Sequence, residues 1–210
     1  MTHKERYAKK LLTLRSHLTG ARYFNALAAL EFALRYHVGT RKDGLTPEFQ
    51  HQVEIALYTL TLPDLQYREE AIATIFLHDV REDYGVSDGE VRAIFDNDEF
   101  ASRVATAVDA MTKEFRGVKR NEEEVFAAIA ADAIASIAKG ADRVHNLNSM
   151  LGVFTVKKQK EYVEEVRVFF LPMLKTARRL FPHQVNAYEN IKFVLETQLA
   201  MIQATWPAEK

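Results

Sequence analysis

Four ionisable groups crowd into six positions at His78, Asp79, Glu82 and Asp83, directly after an apolar run from Ala71 to Leu77. An α-helix turns about 100° per residue, so residues four apart stack one above the other. Glu82 then lies over His78 and Asp83 over Asp79, as two adjacent columns on one side of the rod. A helical run with no polar face is expected to be buried. A buried imidazole and carboxylates are costly there unless something pairs them, and a divalent cation pairs them well. The plain alternative is a core helix whose polar end emerges into solvent. Two more groups sit in similar surroundings: His51, followed by Val53, Ile55, Ala56 and Leu57, and Asp142, after the section Ile134 to Ala141. A lone histidine on an apolar helix is usually a satisfied core residue. Asp142 reads as a buried carboxylate in want of a partner. Taken together, two imidazoles and two carboxylates form a mixed nitrogen–oxygen set with room for water. Such a set suits Mn²⁺, and also Fe²⁺, Mg²⁺, Co²⁺ or Zn²⁺, better than a closed structural site. Spacing alone does not bring groups so distant in sequence together.

The elements that must position these groups are helical. Five prolines and eight glycines in 210 residues are few, which favours long helices over strands and turns. Hydrophobic residues at 48% and charged residues at 27% describe a soluble globular protein able to bury a core of ordinary size. The absence of cysteine removes disulfides, thiolate catalysis and cysteine–zinc sites together, and leaves histidine and carboxylate as ligands. A formal charge of -1 gives no global pull on nucleic acid or anionic lipid, so neither is an expected partner. The N-terminus lacks a continuous apolar segment and no stretch reaches spanning length, so a cytoplasmic location is expected. Monomer and homodimer both stay open.

In chain order, Tyr7, Leu11, Leu14 and Leu18 mark a basic amphipathic helix over 5–18, and a second, more apolar helix spans about 21–37. Thr46 and Pro47 read as N-cap and first residue of a helix running to about Thr61, with His51 in its second turn. Ser87 and Glu90 form a capping box for a short helix through Phe95, and another helix covers about 98–111. The basic stretch Thr112 to Arg120 reads as a loop. Asn121 caps a long alanine-rich helix with an interruption near Gly140, and a further helix over about 155–181 carries Pro172 as a kink or break. The last helix runs from about Pro182 to Thr205. No repeat, low-complexity tract or linker is visible. The expectation is one all-α domain over 1–210, with a core at about 21–181 and the C-terminal helix at about 182–205 packed on it.

The order H…HD…D resembles the HD-domain metal-dependent phosphohydrolases. More narrowly, the chain resembles the hydrolase domain of Rel/SpoT proteins and the stand-alone small alarmone hydrolases of the metazoan SpoT-homologue type. FALRYHVGTRKDGLTPEFQHQVEIA (32–56) is similar to that family's H-x-G-x-x-RK-x-G…H-P-x-x-V-A segment. LHDVREDY (77–84) matches L-H-D-x-x-E-D-T, and DAMTKEF (109–115) resembles G-V-T-K-L. KGADRVHNL (139–147) resembles K-L-A-D-R-x-H-N-M, and KKQKEYVEE (157–165) resembles the segment closing the pocket. The departures are Gln52 for proline, Tyr84 for threonine, Gly140 for leucine and Asn148 for a frequent arginine.

The resemblance implies an all-α HD-type bundle of about eight to ten helices. It implies Mn²⁺-dependent removal of the 3′-pyrophosphate of guanosine alarmones in the stringent response, with a nucleotide as partner. By the same resemblance His51, His78, Asp79 and Asp142 hold the metal, and Glu82 and Asp83 ready the attacking water. Arg41, Lys42, Asn146 and Tyr162 contact the nucleotide, with Lys119 and Lys158 as further contacts. Two other expectations stand beside it: the same chemistry on an adenosine alarmone or NADPH, and a nucleotide-binding regulator without turnover.

Overall fold

The run from Ala71 to Leu77 behaves as a helix with no polar face must: it is buried on every side. The computed structural model describes residues 2–41 and 44–207, and in it this run belongs to α4 (Arg68–Tyr84). α4 packs against α2 (Phe24–Ala33), α3 (Gln50–Thr61), α6 (Asp98–Met111) and α8 (Ala135–Met150). Gly85 ends α4 in the left-handed conformation (φ 67°), which suits a residue without Cβ. Its N–H donates to the Arg81 carbonyl. The remaining helices are α1 (His3–Gly20), α5 (Asp88–Arg92), α7 (Glu122–Ala130), α9 (Val156–Glu165), α10 (Leu171–Leu180) and α11 (Val185–Ala204). The fold is all-α, with eleven α-helices among the described residues.

Several expected ends are observed. The Ser87–Glu90 capping box starts α5, and the Asn121 side chain accepts from Glu123 and Glu124 N–H to start α7. Three expectations need correction. The helix carrying His51 starts at Gln50, not Pro47, because Pro47 pairs across the loop with Thr40 and Glu48 N–H donates to the Gly39 carbonyl at 3.0 Å. The alanine-rich segment breaks at 131–134, not at Gly140. Asp132 makes that break by accepting from the N–H groups of Ile134 (2.8 Å) and Ala135 (2.7 Å), which begins α8 with a side-chain cap. Gly140 lies inside an uninterrupted α8. Thr112 to Arg120 is not a plain loop but a small antiparallel hairpin, β1 (Glu114–Phe115) with β2 (Val118–Lys119). Its turn is closed by Arg116 and Gly117, both at positive φ.

Pro172 interrupts its α-helix as expected, and the interruption takes the form of a π turn. The five residues Val166–Phe170 form a π-helical turn between α9 and α10, and the Leu171 N–H reaches back to the Val166 carbonyl. Proline lacks an N–H and its ring crowds the carbonyl four residues earlier, so widening the preceding turn relieves both problems. The same turn brings Phe169 and Phe170 together onto Phe126, with ring centroids at 5.0 and 4.9 Å.

Candidate metal and nucleotide site

The sites for chemistry lie on α3, α4 and α8, which pack on one another. On α4 the His78 Nδ1–H donates to the Ile75 carbonyl at 2.8 Å, which turns Nε2 toward Asp79 Oδ1 at 3.0 Å. That backbone bond makes Nδ1 the donor and leaves Nε2 as the nitrogen that faces a ligand. From α3, His51 points its Nε2 at Asp142 Oδ1 of α8, 3.0 Å away. One ligand atom from each of His51, His78 and Asp79 lies within 4.8 Å of the others. Donors at about 2.0–2.2 Å from an ion stand at most about 4.4 Å apart, so this triad fits a divalent cation with a contraction of a few tenths of an ångström. Asp142 adjoins the triad through His51. Its Oδ1 also accepts from Asn146 Nδ2 at 2.7 Å, and Lys139 Nζ lies 3.4 Å from Oδ2.

The charges of the site are strongly coupled. Burial pushes the His78 imidazole toward neutrality, yet the Asp79 carboxylate beside it wins and raises its pKa to about 9. Burial likewise opposes ionisation of Asp79 and Asp142, but both stay well below the usual carboxylate range. His78 holds Asp79 there; Lys139 and His51 hold Asp142. Burial lowers His51, against the pull of Asp142. One turn beyond Asp79, Asp83 is raised to about 6 by burial and by the negative charges of Asp79 and Glu82.

These groups form part of the wall of an open cavity of about 1130 Å³. Pockets for drug-sized ligands run to about 1,000 Å³, so a nucleotide has room. Arg41, His51, Asp79, Asp83, Asp142, Asn146, Lys158 and Tyr162 all line it. His78 sits behind this wall. Glu82 does not line the cavity; its carboxylate is exposed and accepts the Lys113 N–H at 3.0 Å. Lys119 is not brought to the site either. It lies on β2 with its side chain 81% exposed, 3.7 Å from Glu114, and Lys113 lines the cavity instead. Lys42 lies outside the described residues.

Arg41 rides on a tethered loop. Its N–H donates to the Thr46 carbonyl at 2.8 Å, and Glu48 receives both the Gly39 N–H and the Tyr84 hydroxyl at 3.3 Å. Tyr162 is backed by Arg143, whose guanidinium carbon lies 4.8 Å from its ring and 4.2 Å from that of Phe170. Arg143 is itself held by Glu165 at 2.7 Å. The sequence reading did not single out Arg143, Lys113, Lys139, Glu54 or His145, nor His3 and Arg6 of α1, which reach the same cavity. His145 offered a signal, standing one turn beyond Asp142 in KGADRVHNL; Glu54 offered none before α3 and α8 were seen to meet.

The HD domain family model matches residues 29–180, a span that holds every residue of this cluster. The chain belongs to the HD-domain family. Among curated relatives, this HD-domain chain is 32% identical over 146 residues to a probable guanosine-3′,5′-bis(diphosphate) 3′-pyrophosphohydrolase of Synechocystis, covering 68% of the chain and 19% of the relative. It is 28% identical over 166 residues to guanosine-3′,5′-bis(diphosphate) 3′-pyrophosphohydrolase of Haemophilus influenzae, covering 75% and 23%. It is 27% identical over 153 residues to GTP pyrophosphokinase rsh of Brucella ovis, covering 69% and 19%. The HD-domain chain thus spans about a fifth of the length of these relatives. The triad offers a divalent cation three ligand atoms inside the span that the HD domain family model matches. No helix of the described residues is long and apolar enough to cross a membrane.

Proposed function

We propose that this chain hydrolyses the 3′-pyrophosphate of guanosine alarmones, giving GDP or GTP and pyrophosphate, with Mn²⁺ as the metal. The observation that carries the reading is the joining of the His51–His78–Asp79 triad and Asp142 to a nucleotide-sized cavity bordered by cationic side chains. His51, His78, Asp79 and Asp142 would hold the ion. When bound, it neutralises phosphate charge and makes a water nucleophilic near neutral pH.

The chain's own groups do the rest. Asp83 lines the cavity with a pKa of about 6, so near neutrality it is ionised and can take a proton from the attacking water. The water oxygen bonds to phosphorus, the bond from phosphorus to the ribose 3′ oxygen breaks, and that oxygen leaves carrying a proton. Asp83 is placed to return it. Glu82 contributes by its charge, which keeps Asp83 raised, and by holding the Lys113 N–H at the edge of the hairpin. Arg41, with a guanidinium able to stack on a base or fork onto phosphate, and Lys158 meet the nucleotide, and Asn146 and Tyr162 meet its ribose and phosphates. A second reading keeps the chemistry and changes the nucleotide to an adenosine alarmone or NADPH. Its support is Asn148, where an arginine is frequent in the resembling family: it lines the cavity and accepts from Gln198 Nε2 at 2.8 Å.

Phosphate or pyrophosphate release from guanosine tetraphosphate, its adenosine counterpart and NADPH, each with Mn²⁺, tests the proposal. Fastest turnover of the guanosine substrate is expected, and loss of it in Asp79→Ala and His78→Ala with the fold intact. Full activity in either variant removes the mechanism.

A further inference from the structure

The four polar groups that α3 and α8 present to each other alternate. His51 and Glu54 lie three apart on α3, Asp142 and His145 three apart on α8, so each pair shares a helix face. Across the contact they interleave as Asp142, His51, His145, Glu54. His51 Nε2 is 3.0 Å from Asp142 Oδ1, the two Nδ1 atoms of His51 and His145 are 2.8 Å apart, and His145 Nε2 is 2.6 Å from Glu54 Oε2. The far end is anchored on other groups: Glu54 Oε1 receives Lys10 Nζ of α1 at 2.5 Å and Gln50 Nε2 at 2.6 Å.

Donor and acceptor roles along this chain are constrained. A carboxylate only accepts, so His145 Nε2 must donate to Glu54. An ion at His51 Nε2 would require that ring to carry its proton on Nδ1, which then donates to His145 Nδ1 across the 2.8 Å contact. His51 is left with a bare Nε2, facing Asp142 and the other ligands. A lone pair opposite a carboxylate at 3.0 Å is repulsive unless a cation lies between them. We infer that Glu54 and His145 are positioning residues for the metal: they set the tautomer and ring orientation of His51 so that Nε2 is presented to the ion. Partners of this kind in an outer shell orient metal-bound imidazoles and tune affinity. The inference rests on the metal reading proposed above and extends it to two residues outside the proposed ligand set.

The test measures metal binding with no substrate present, by titrating the metal-free full chain with Co²⁺ (visible absorption) and Mn²⁺ (calorimetry). His145→Leu removes the acceptor facing His51, and affinity is expected to fall about 10–100-fold. His145→Asn keeps an acceptor oxygen near the place of Nδ1 and is expected to stay within about three-fold of the parent. Leucine at parental affinity, or leucine and asparagine equally weak, overturns the inference; the latter means His145 only fills space. Should His145→Leu fail to fold, Glu54→Gln decides, since an amide no longer forces His145 Nε2 to donate. Weakened affinity there supports the relay and unchanged affinity overturns it. A parent chain that binds neither ion removes the proposed function and the relay with it, an outcome separable from the others because it appears before any variant is made.

Discussion

Asp83 combines two consequences of one environment. Its pKa of about 6 stands above the ordinary value of 3.8 because burial and the charges of Asp79 and Glu82 disfavour the ionised form. As a base it works only when ionised, so kcat/KM is expected to rise as pH climbs through about 6. Glu82→Gln removes one of the raising charges, and the rising limb should move to lower pH. The same shift acts on stability with a fixed sign. A carboxyl with a raised folded pKa favours the folded state below its unfolded pKa, and that contribution is lost as pH rises through about 6. Asp83→Asn should therefore raise the melting temperature relative to the parent at pH 7 and change it little at pH 4. Arg41→Ala is expected to raise KM about ten-fold with little change in kcat, as loss of one charged contact implies. An unchanged KM returns Arg41 to the solvent-facing loop. At this scale the sequence was most informative where types and spacing were unusual, as at His78 and Asp79. Glu54 was illegible because its role depends on a residue 91 positions away.

At the scale of elements, capping chemistry was readable and backbone strain was not. Ser87 and Glu90, or Asn121, advertise a helix start by side chains that satisfy free N–H groups. Asp132 does the same for α8, but it lies in an alanine-rich run where Gly140 looked the weaker point. Gly140 serves packing instead. A Cβ there would meet Ile191 Cγ2 at 3.0 Å and Leu174 Cδ2 at 3.3 Å, so the missing side chain lets α8 sit close to α10 and α11. Gly140→Ala gains about 1 kcal/mol of helix propensity but overpacks a filled interface at a cost of about 1–3 kcal/mol. A net loss of about 1 kcal/mol is expected, read as a melting temperature about 2–4 °C lower. Gly140→Leu, the residue the resembling family carries, should be much worse. The hairpin escaped notice because its strands are two residues each, too short for alternation to show.

For the molecule as a whole, the all-α character followed from composition and helical periodicity, whereas which helices meet did not. α1 illustrates the gap: it read only as a basic amphipathic helix, yet Lys10 binds Glu54, and His3 and Arg6 reach the cavity. The link carries a pH signature. Burial would raise Glu54, but hydrogen bonds from His145, Lys10 and Gln50 hold it at about 2, below its ordinary 4.5. A carboxyl with a depressed folded pKa stabilises the fold above its unfolded pKa, and that contribution is lost as pH falls from about 4.5 toward 2. Glu54→Gln should flatten the parent's acid limb in that window, as followed by circular dichroism.

The recognisable span and the working unit differ in extent. The family model covers 29–180, but Lys10 lies before that stretch and Ile191, which presses on Gly140 two positions from Asp142, lies after it. Anyone trimming the gene to the recognisable span would keep every proposed ligand and discard two of the struts that hold them. Such a fragment should express as a looser bundle with weakened ion affinity, and reagents or fusions are better designed to keep α1 and α11.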